Sequence, residues 1–403
     1  MLTRQFGELW AQVVPVGRDP ASGGYLRYSW SAPDLALRAW FVAAARQRGM
    51  DVEVDGNGNL WAWWGDPSTG GAIVTGSHLD SVPRGGGYDG PLGIVAALLS
   101  IDLLRDRGIR PDRPLGIVAF TEEEGARFGV ACLGSRLLTG ELRADRAQAL
   151  TDADGITLAD AMTAAGLDPA GLGPDPDRLA RIASYVELHI EQGRSLETHP
   201  VGVGSGIWPH GRWRLEFTGE GNHAGTTLMA DRRDPMLTYA YTVLAANKEA
   251  RLAGAHATMG RVAVEPNATN AVPTRVTAWL DARAPEQSTL DELVAAVQWR
   301  AGERADRDGT TVTGTAESLT PFVAFDEPLR SRLVARLGGD VPVIGTGAGH
   351  DAGVLQSAGV PAAMLFVRNP TGVSHAPAEH ATDEDCAAGV EALAAVLETL
   401  ACR

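Results

Sequence analysis

Cysteine is scarce in this sequence. The 403 residues include three cysteines, Cys132, Cys386 and Cys402. Three is too few, and an odd number, for a disulfide framework, so we expect a reducing compartment and a cytoplasmic location. The scarcity also argues against a metal site built from thiolates and leaves histidines and carboxylates as candidate ligands.

Long apolar runs are missing as well. No window approaches the roughly 18 uninterrupted apolar residues that indicate a membrane-spanning helix. The N-terminal residues, MLTRQFGELWAQVVPVG, contain no continuous apolar segment and no cleavage signal, so we expect no export. We therefore predict a soluble protein without a membrane partner.

Basic residues are outnumbered by acidic ones. The chain has 35 Lys and Arg against 50 Asp and Glu, a formal net charge of −15 at pH 7. Such a surface repels phosphate backbones, which excludes general binding of nucleic acid but not of small substrates or cations. The hydrophobic fraction of 44% supports a large core, and the length predicts two or three domains at roughly 150 residues each.

The first half and the last part of the chain have the pattern of an α/β fold. Short apolar runs alternate with helical stretches, which favours a mostly parallel sheet covered on both faces. The predicted strands are Asp51–Val54, Leu60–Trp64, Ala72–Thr75, Leu115–Phe120, Val341–Ile344 and Ala362–Phe366. The predicted helices include Leu35–Arg48, Pro91–Arg107 and Asp383–Leu400.

A different pattern interrupts this fold from Arg212 onward. The order strand, helix, strand, strand, helix, strand is typical of a compact α+β domain of the ferredoxin-like type. The α/β pattern returns after Pro321. We therefore predict a catalytic domain formed by residues 1–211 and 323–403, with an inserted domain at residues 212–322.

His78 and Asp89 form the first candidate cluster. His78 follows a buried strand in the segment TGSHLD, and sites of α/β proteins assemble at such strand ends. Asp80 can hold the second imidazole nitrogen, as metal-ligating histidines require. Asp89 is displayed from a glycine-rich loop, GGGYDGP. A lone histidine in a loop is usually only hydrogen-bonded, but this combination favours a metal site.

Three adjacent carboxylates, Glu122, Glu123 and Glu124, follow the strand Leu115–Phe120. On a helix they would indicate a solvated charged face. At the end of a buried strand they repel one another, and a multivalent cation offsets that repulsion. One carboxylate can bind the metal while its neighbour serves as a general base.

Two more segments add histidines. In ELHIEQG, alternation places Glu187, His189 and Glu191 on one face of a strand, where buried ionisable groups need a partner such as a metal. In VSHAPAE, His375 follows a strand and a turn, and Glu379 either orients a neighbouring side chain or begins the last helix.

The four segments together predict a metal site with nitrogen and oxygen ligands. Such ligands are typical of zinc or a similar divalent ion; manganese, cobalt and nickel remain alternatives. Five ligands suit two metal ions with a bridging carboxylate. The candidate ligands are His78, Asp89, Glu124, His189 and His375.

These motifs resemble the M20-type binuclear metallohydrolases, in particular the branch of hydantoinase/carbamoylase-type amidases. The resemblance runs from about Pro33 to the C-terminus, and His189 stands where peptidases of the wider family usually have a carboxylate. It implies two divalent ions per subunit, a homodimer, and an inserted domain that acts as lid and dimerisation domain. The segments that carry it are GSHLDSVPRGGGYDGPLG, FTEEEGARFG, ELHIEQG, GNHAGTT, PNATNAVP, GAGHDAG and SHAPAEH.

The resemblance also implies roles for single residues. Asp89 would bridge the two ions, Glu123 would be the general base, and Asp80 would orient His78. His223, on the inserted domain, would stabilise the oxyanion of the tetrahedral intermediate. The resemblance further implies residues that contact the substrate. Among them, Arg283 could instead be a surface charge, and His350 could instead have a structural role. The full implied set is Gln192, Asn270, Arg283 and His350.

The implied reaction is hydrolysis of the ureido C–N bond of allantoate or an N-carbamoyl-L-amino acid, with release of ammonia and carbon dioxide. An alternative substrate is an N-formyl or other short N-acyl amino acid, such as N-formylglutamate. The complete ligand set and Glu123 argue against an inactive scaffold protein. Arg84, Arg194 and Leu228 depart from the common family pattern. None is a candidate ligand, but the two arginines leave the substrate open.

Overall fold

The computed structural model describes residues 1–402. Its strands are β1 (Asp51–Val54), β2 (Leu60–Trp64), β3 (Ala72–His78), β4 (Leu115–Phe120), β5 (Ile182–Ile190), β6 (Val201–Ile207), β7 (His210–Thr218), β8 (Asn222–His223), β9 (His256–Glu265), β10 (Ala271–Val272), β11 (Arg275–Arg283), β12 (Thr311–Thr320), β13 (Val323–Ala324), β14 (Val343–Thr346) and β15 (Ala362–Val367). Its α-helices are α1 (Leu2–Val13), α2 (Ala32–Gln47), α3 (Pro91–Asp106), α4 (Leu133–Thr139), α5 (Ala144–Gln148), α6 (Leu158–Ala164), α7 (Pro176–Arg181), α8 (Pro235–Ala253), α9 (Gln287–Asp308), α10 (Glu327–Arg336), α11 (Asp351–Ser357) and α12 (Asp383–Ala401). Within this part of the chain, no helix combines the length and the apolar character needed to cross a membrane.

The chain divides into two compact units. The first is formed by Met1–Gly206 together with the residues from Ala324 onward. The second is formed by Ile207–Val323, which lies between the two parts of the first in the sequence.

One mixed sheet forms the centre of the first unit. Nine strands within residues 1–402 take part, in the order β1-β2-β4-β3-β5-β15-β6-β13, with β14 paired to β6. The central strands β4, β3, β5 and β15 run parallel, and β2 and β6 join them antiparallel. Strands β3, β4 and β15 are buried along their whole length, since both faces of the sheet are covered. An α/β fold with a mostly parallel central sheet is therefore confirmed.

Helices α3 and α12 pack side by side on the sheet. Helix α3 contacts β3, β5 and α12, and also α1, and it is therefore buried along most of its length. Gly93 allows its close approach to the sheet. A Cβ atom at this position would lie 2.4 Å from the carbonyl oxygen of Leu188 and 2.8 Å from Cβ of Ser77. The start of α3 is thus packed directly against β5 and β3.

The second unit contains an antiparallel sheet covered by two helices. Its strand order is β12-β7-β11-β9. Helices α8 and α9 pack on each other and against this sheet. Strand β11 alternates buried and half-buried residues along its length, as expected when one face is covered and the other is open. A short ribbon of β8 and β10 belongs to the same unit.

Some elements differ from the expectations. Helix α1 was not predicted, yet it buries Phe6 and Trp10 and contacts α3 and α12. Strand β3 does not end at Thr75 but continues to His78. His78 is consequently the last residue of a fully buried strand, and its backbone is held by the sheet.

We expect Gly93→Ala to lower the free energy of unfolding by about 1–3 kcal/mol, because the added methyl group meets backbone that cannot move away. Gly302 provides a matched control in α9, where no atom lies within 4 Å of an added Cβ. Gly302→Ala should raise the free energy of unfolding by up to about 1 kcal/mol, because alanine is a better helix former than glycine. Urea unfolding followed by circular dichroism measures both. Equal stability of Gly93→Ala and wild type would contradict the close packing of α3.

Candidate metal centre

The candidate ligands collect at one edge of the parallel strands. His78 ends β3, the acidic segment Glu122–Glu124 follows β4, His189 is the next-to-last residue of β5, and His375 follows β15. These four strands are neighbours and run parallel, so their carboxyl ends lie at the same edge. Asp89 reaches this edge from the loop between β3 and α3.

A first group comprises His78, Asp89 and His189, all of which are buried. Oδ1 of Asp89 lies 3.1 Å from Nε2 of His189 and 3.5 Å from Nε2 of His78. Among the described residues, neither Nε2 atom has a hydrogen-bond partner. Buried polar atoms are normally satisfied, and a cation between these three side chains would satisfy both nitrogens.

A second group shares Asp89 and adds Glu124 and His375. Oδ2 of Asp89 lies 3.3 Å from Nε2 of His375, and Oε2 of Glu124 lies 3.4 Å from the same nitrogen. The His375 side chain is 48% exposed, so this group is open on one side whereas the first is enclosed. Asp89 thus directs one oxygen to each group, the arrangement of a carboxylate that bridges two metal ions.

The ionisation of these side chains is strongly perturbed. Burial alone would raise the pKa of Asp89, but the three surrounding histidines hold that pKa well below its usual range. Burial and repulsion from Asp89 raise the pKa of Glu124 to about 7. The hydrogen bond with Asp89 raises the pKa of His375 to about 9. Both shifts favour protonated side chains when no cation is bound, and three imidazoles with two carboxylates fit a divalent metal.

Main-chain carbonyl groups orient the two buried imidazoles. Nδ1 of His189 lies 2.8 Å from the carbonyl oxygen of Ile190, and Nδ1 of His78 lies 3.2 Å from that of Asp80. Donation by Nδ1–H leaves the Nε2 lone pair facing Asp89. The carboxylate of Asp80 is slightly farther from the His78 ring, at 3.5 Å. The backbone and the side chain of Asp80 both face this imidazole.

The Asp80 carboxylate also fixes the acidic segment after β4. It accepts hydrogen bonds from the backbone N–H groups of Glu123 and Glu124 at 3.2 and 3.1 Å. The carboxylate of Glu122 faces elsewhere and accepts from the N–H groups of Arg127 and the following residue at 2.8 and 2.7 Å. The three adjacent glutamates therefore separate, with two directed to the centre and one to a neighbouring loop.

Glu123 lies beside the first group and belongs to neither group. Its Oε2 is 3.6 Å from Nε2 of His78, and the side chain is buried. Burial raises the pKa of Glu123 well above its usual range, and His78 offsets only part of that rise. A carboxyl group next to the ligands that gains a proton easily is suited to general acid–base chemistry.

Glu379 holds the loop that carries Asp89. Its Oε1 accepts hydrogen bonds from the backbone N–H groups of Tyr88 and Asp89, both at 2.9 Å. The loop approaches so closely that a Cβ atom at Gly86 would lie 2.3 Å from the Glu379 carboxyl group. Of the two roles considered for Glu379, the structure supports the positioning one, because the last helix begins at Asp383.

Two acidic side chains near the end of β5 do not join the centre. Glu187 accepts hydrogen bonds from the hydroxyl group of Ser77 at 3.0 Å and the backbone N–H of Ala352 at 3.2 Å. Glu191 accepts from the N–H groups of Ser195 and the following residue at 2.5 and 3.0 Å. Both carboxylates have the partners that their burial requires, and these partners are protein donors and not a metal.

Two of the candidate substrate residues lie at the centre. Gln192 donates from Nε2 to Oδ2 of Asp89 at 2.9 Å. The buried ring of His350 meets that of His189 edge to face, with centroids 4.6 Å apart, and burial lowers the pKa of His350 well below its usual range.

Ser374 was not predicted, although it also donates to Oδ2 of Asp89, at 3.3 Å. Its position next to a candidate ligand was the available signal.

The other candidates lie in the second unit. His223 is in β8 and Asn270 immediately precedes β10, the partner strand of β8. The carbonyl group of Asn270 accepts a hydrogen bond from the N–H of Ala224, the residue after His223, at 2.9 Å. His223 and Asn270, which are both exposed, are therefore neighbours. Arg283 ends β11, where its Nε donates to the carboxylate of Asp281 at 2.9 Å. Each of the three residues therefore has a defined position within this unit.

Comparison with known proteins defines the class. A match to peptidase family M20/M25/M40 extends over residues 74–399, and the chain belongs to this family. An N-carbamoyl-L-amino acid amidohydrolase of Geobacillus stearothermophilus is 38% identical over 397 residues, 96% of each chain. The allantoate amidohydrolase of Escherichia coli is 34% identical, over 96% of this chain and 95% of that relative.

A solved structure agrees with these relatives. The amidase of the hydantoinase/carbamoylase family from Burkholderia multivorans superposes with a TM-score of 0.87 and 31% identity. The match covers 100% of this chain and 98% of that one. The resemblance to the hydantoinase/carbamoylase-type amidases is thereby confirmed.

We expect the protein to bind two divalent ions per chain, and the shared ligand to control both. His189→Ala should weaken binding of one ion, His375→Ala binding of the other, and Asp89→Ala binding of both, each by roughly tenfold or more. Equilibrium dialysis against Zn²⁺ with elemental analysis measures the stoichiometry. Glu191→Gln, which changes a carboxylate outside both groups, should retain two ions. Two tightly held ions in Asp89→Ala would contradict the bridging arrangement.

Proposed function

We propose that this chain hydrolyses the ureido C–N bond of a small carboxylated substrate, allantoate or an N-carbamoyl-L-amino acid, and releases ammonia and carbon dioxide. The observation that carries the proposal is the position of Asp89, with one oxygen in each of two metal-type groups and Glu123 beside them. This arrangement favours hydrolysis assisted by two ions. The names of the two relatives, which specify allantoate and N-carbamoyl-L-amino acids, support the substrate class.

The five candidate ligands would hold two divalent ions per chain. Zinc is the first candidate because imidazole and carboxylate donors suit it, with manganese, cobalt and nickel as alternatives. When bound, the ions would supply Lewis acidity, which makes water more acidic and polarises a carbonyl group. Two of the ligands, His78 and His189, lie at the ends of neighbouring strands, which would keep their side chains in fixed positions.

Glu123 would carry the proton in this reaction. Its carboxylate accepts a proton from water as the water oxygen bonds to the ureido carbonyl carbon. The protonated Glu123 then donates to the leaving nitrogen as the C–N bond breaks. The products are a free amine and carbamate, and carbamate decomposes to ammonia and carbon dioxide. The raised pKa of Glu123 supports both halves of this cycle.

Polar side chains of both units would recognise the substrate. Arg283 and Asn270 would hold its carboxylate through charge-assisted and neutral hydrogen bonds. His223 would stabilise the oxyanion that forms at the ureido carbonyl. Gln192 would lie beside the ureido group, and His350 would line the site.

The second unit would act as lid and dimerisation domain of a homodimer. Substrate residues on a separate unit support a closing movement that excludes water during the reaction. His223 would reach the centre of its own chain or that of the partner. The low cysteine content supports a cytoplasmic location.

The two arginines that depart from the family pattern differ in their surroundings. Arg84 pairs with Asp19 at 3.4 Å. Arg194 lies against the turn at Gly372, where an added Cβ would meet its side chain at 2.1 Å. Because this turn leads to His375, Arg194 is the better candidate for a residue that selects the substrate.

We expect the metal-loaded protein to release ammonia from allantoate or N-carbamoyl-L-amino acids, and Glu123→Gln to lower kcat by about 10²–10⁴-fold because the amide cannot accept the proton. A coupled ammonia assay, with metal content measured in parallel, checks both. Formate from N-formyl amino acids without ammonia from ureido substrates would favour the deacylase alternative. Undiminished turnover by the Glu123→Gln variant would exclude Glu123 as the general base.

We expect Arg283→Gln to raise KM for carboxylated substrates by roughly ten- to hundredfold, because a charge-assisted hydrogen bond is lost. Steady-state kinetics measures the change. Arg275→Gln is the matched control, since Arg275 lies at the other end of the same strand and pairs with Glu265 at 2.5 Å. An N-carbamoyl amine without a carboxylate should be turned over equally by both variants. An unchanged KM in Arg283→Gln would refute the anchoring role.

A further inference from the structure

A buried thiol contacts the proposed general base. Sγ of Cys132 donates to Oε1 of Glu123 at 3.4 Å. Oε2, the other oxygen of the same carboxyl group, is the one that faces His78. Cys132 is 3% exposed, so water does not compete freely for this contact.

The backbone of Cys132 is attached to the same residue. Its N–H donates to the carbonyl oxygen of Glu123 at 2.7 Å. The next two N–H groups continue the pattern and donate to the carbonyl oxygens of Glu122 and Thr121 at 3.1 and 2.9 Å. The carbonyl group of Cys132 in turn accepts from the hydroxyl group of Ser135 at 3.1 Å. The position of the thiol is therefore set by a rigid segment and not by a mobile loop.

The thiol remains a donor near neutral pH. Burial raises the pKa of Cys132 well above its usual range, and the neighbouring carboxyl groups of Glu123 and Asp351 raise it further. Cys132 is consequently a protonated S–H group, a weak hydrogen-bond donor, and not a thiolate nucleophile.

On the basis of the proposed function, we infer that Cys132 is a positioning residue that fixes the orientation of the Glu123 carboxyl group for proton transfer. Rotation about the last side-chain bond of a glutamate is soft and roughly two-fold. The S–H group holds Oε1, and this leaves Oε2 directed towards His78. The Asp80 carboxylate fixes the backbone of Glu123, because it accepts a hydrogen bond from the N–H group of Glu123.

Kinetics separates this role from ligand binding. We expect Cys132→Ala to lower kcat by about three- to tenfold with KM and the content of two metal ions unchanged, because one hydrogen bond to the base is lost. Cys132→Ser restores a donor and should return kcat to within about twofold of wild type. Cys386→Ala, which removes another buried thiol, on α12, should leave kcat unchanged and serves as the matched control.

Infrared spectroscopy of the S–H stretching band tests the contact without any substrate. The band that disappears in Cys132→Ala should lie at a lower frequency than the other thiol bands, because its hydrogen is bonded to a carboxyl group. Glu123→Gln should move this band, since an amide group and a carboxyl group differ in strength as hydrogen-bond acceptors. This result does not depend on which substrate the protein hydrolyses.

Several outcomes would overturn the inference. They are a wild-type kcat in Cys132→Ala, a loss of bound metal or a rise in KM in that variant, and an S–H band that Glu123→Gln does not move. An equal loss of kcat in Cys132→Ser and Cys132→Ala would assign the effect to packing. If no ureido or acylamino substrate is hydrolysed, the proposed function fails, while the infrared result still decides whether Cys132 binds Glu123.

Discussion

The carboxylate of Asp89 is buried between two imidazoles on one side and an imidazole with a second carboxylate on the other. A buried charge costs several kcal/mol in lost solvation unless neighbouring groups compensate for it. Three histidines compensate for the charge of Asp89, because their Nε2 atoms converge on the two oxygens of its carboxylate. The remaining acidic groups must fit around this arrangement. Glu124 and Glu379 are therefore held next to a buried negative charge, which together with their own burial raises the pKa of each to about 7.

The position of Asp89 depends on contacts made by its loop and by the helix that follows. The two N–H groups bound by Glu379 fix the loop from the side of the last strand. Gly93 lets α3 approach the carbonyl group of Leu188 in β5 and the Cβ atom of Ser77 in β3, the residues that precede His189 and His78. Ligands on rigid elements keep their geometry better than ligands on free loops. The central sheet therefore does more than bury apolar surface, since its strand ends determine the distances between ligands.

The sequence alone allowed the parallel sheet and the candidate ligands to be predicted, because each motif is contiguous and sits where an apolar run ends. His78, Glu124 and His189 are examples in which local pattern and strand end coincide. Contacts that depend on the path of distant loops were not predictable in this way. The bond between Glu379 and the Asp89 loop joins residues 290 positions apart, and the N–H group that satisfies Glu187 belongs to Ala352, 165 positions away. Helix α1 was missed because it begins without a side-chain cap or an acidic first turn.

The distribution of the proposed roles between the two units has a chemical consequence. The ligands and the base constrain one another, since Asp89 is shared and Glu123 is held by Asp80 on its backbone and by Cys132 on its carboxyl group. A change at any of these positions disturbs several interactions at once. Arg283 instead lies in the second unit, where it is supported by Asp281 on its own strand. Under the proposed function, changes around it would alter how the substrate carboxylate is bound. The proposed two-ion chemistry can therefore stay fixed while recognition of the substrate carboxylate varies, which is why kcat and KM should respond to different sets of residues.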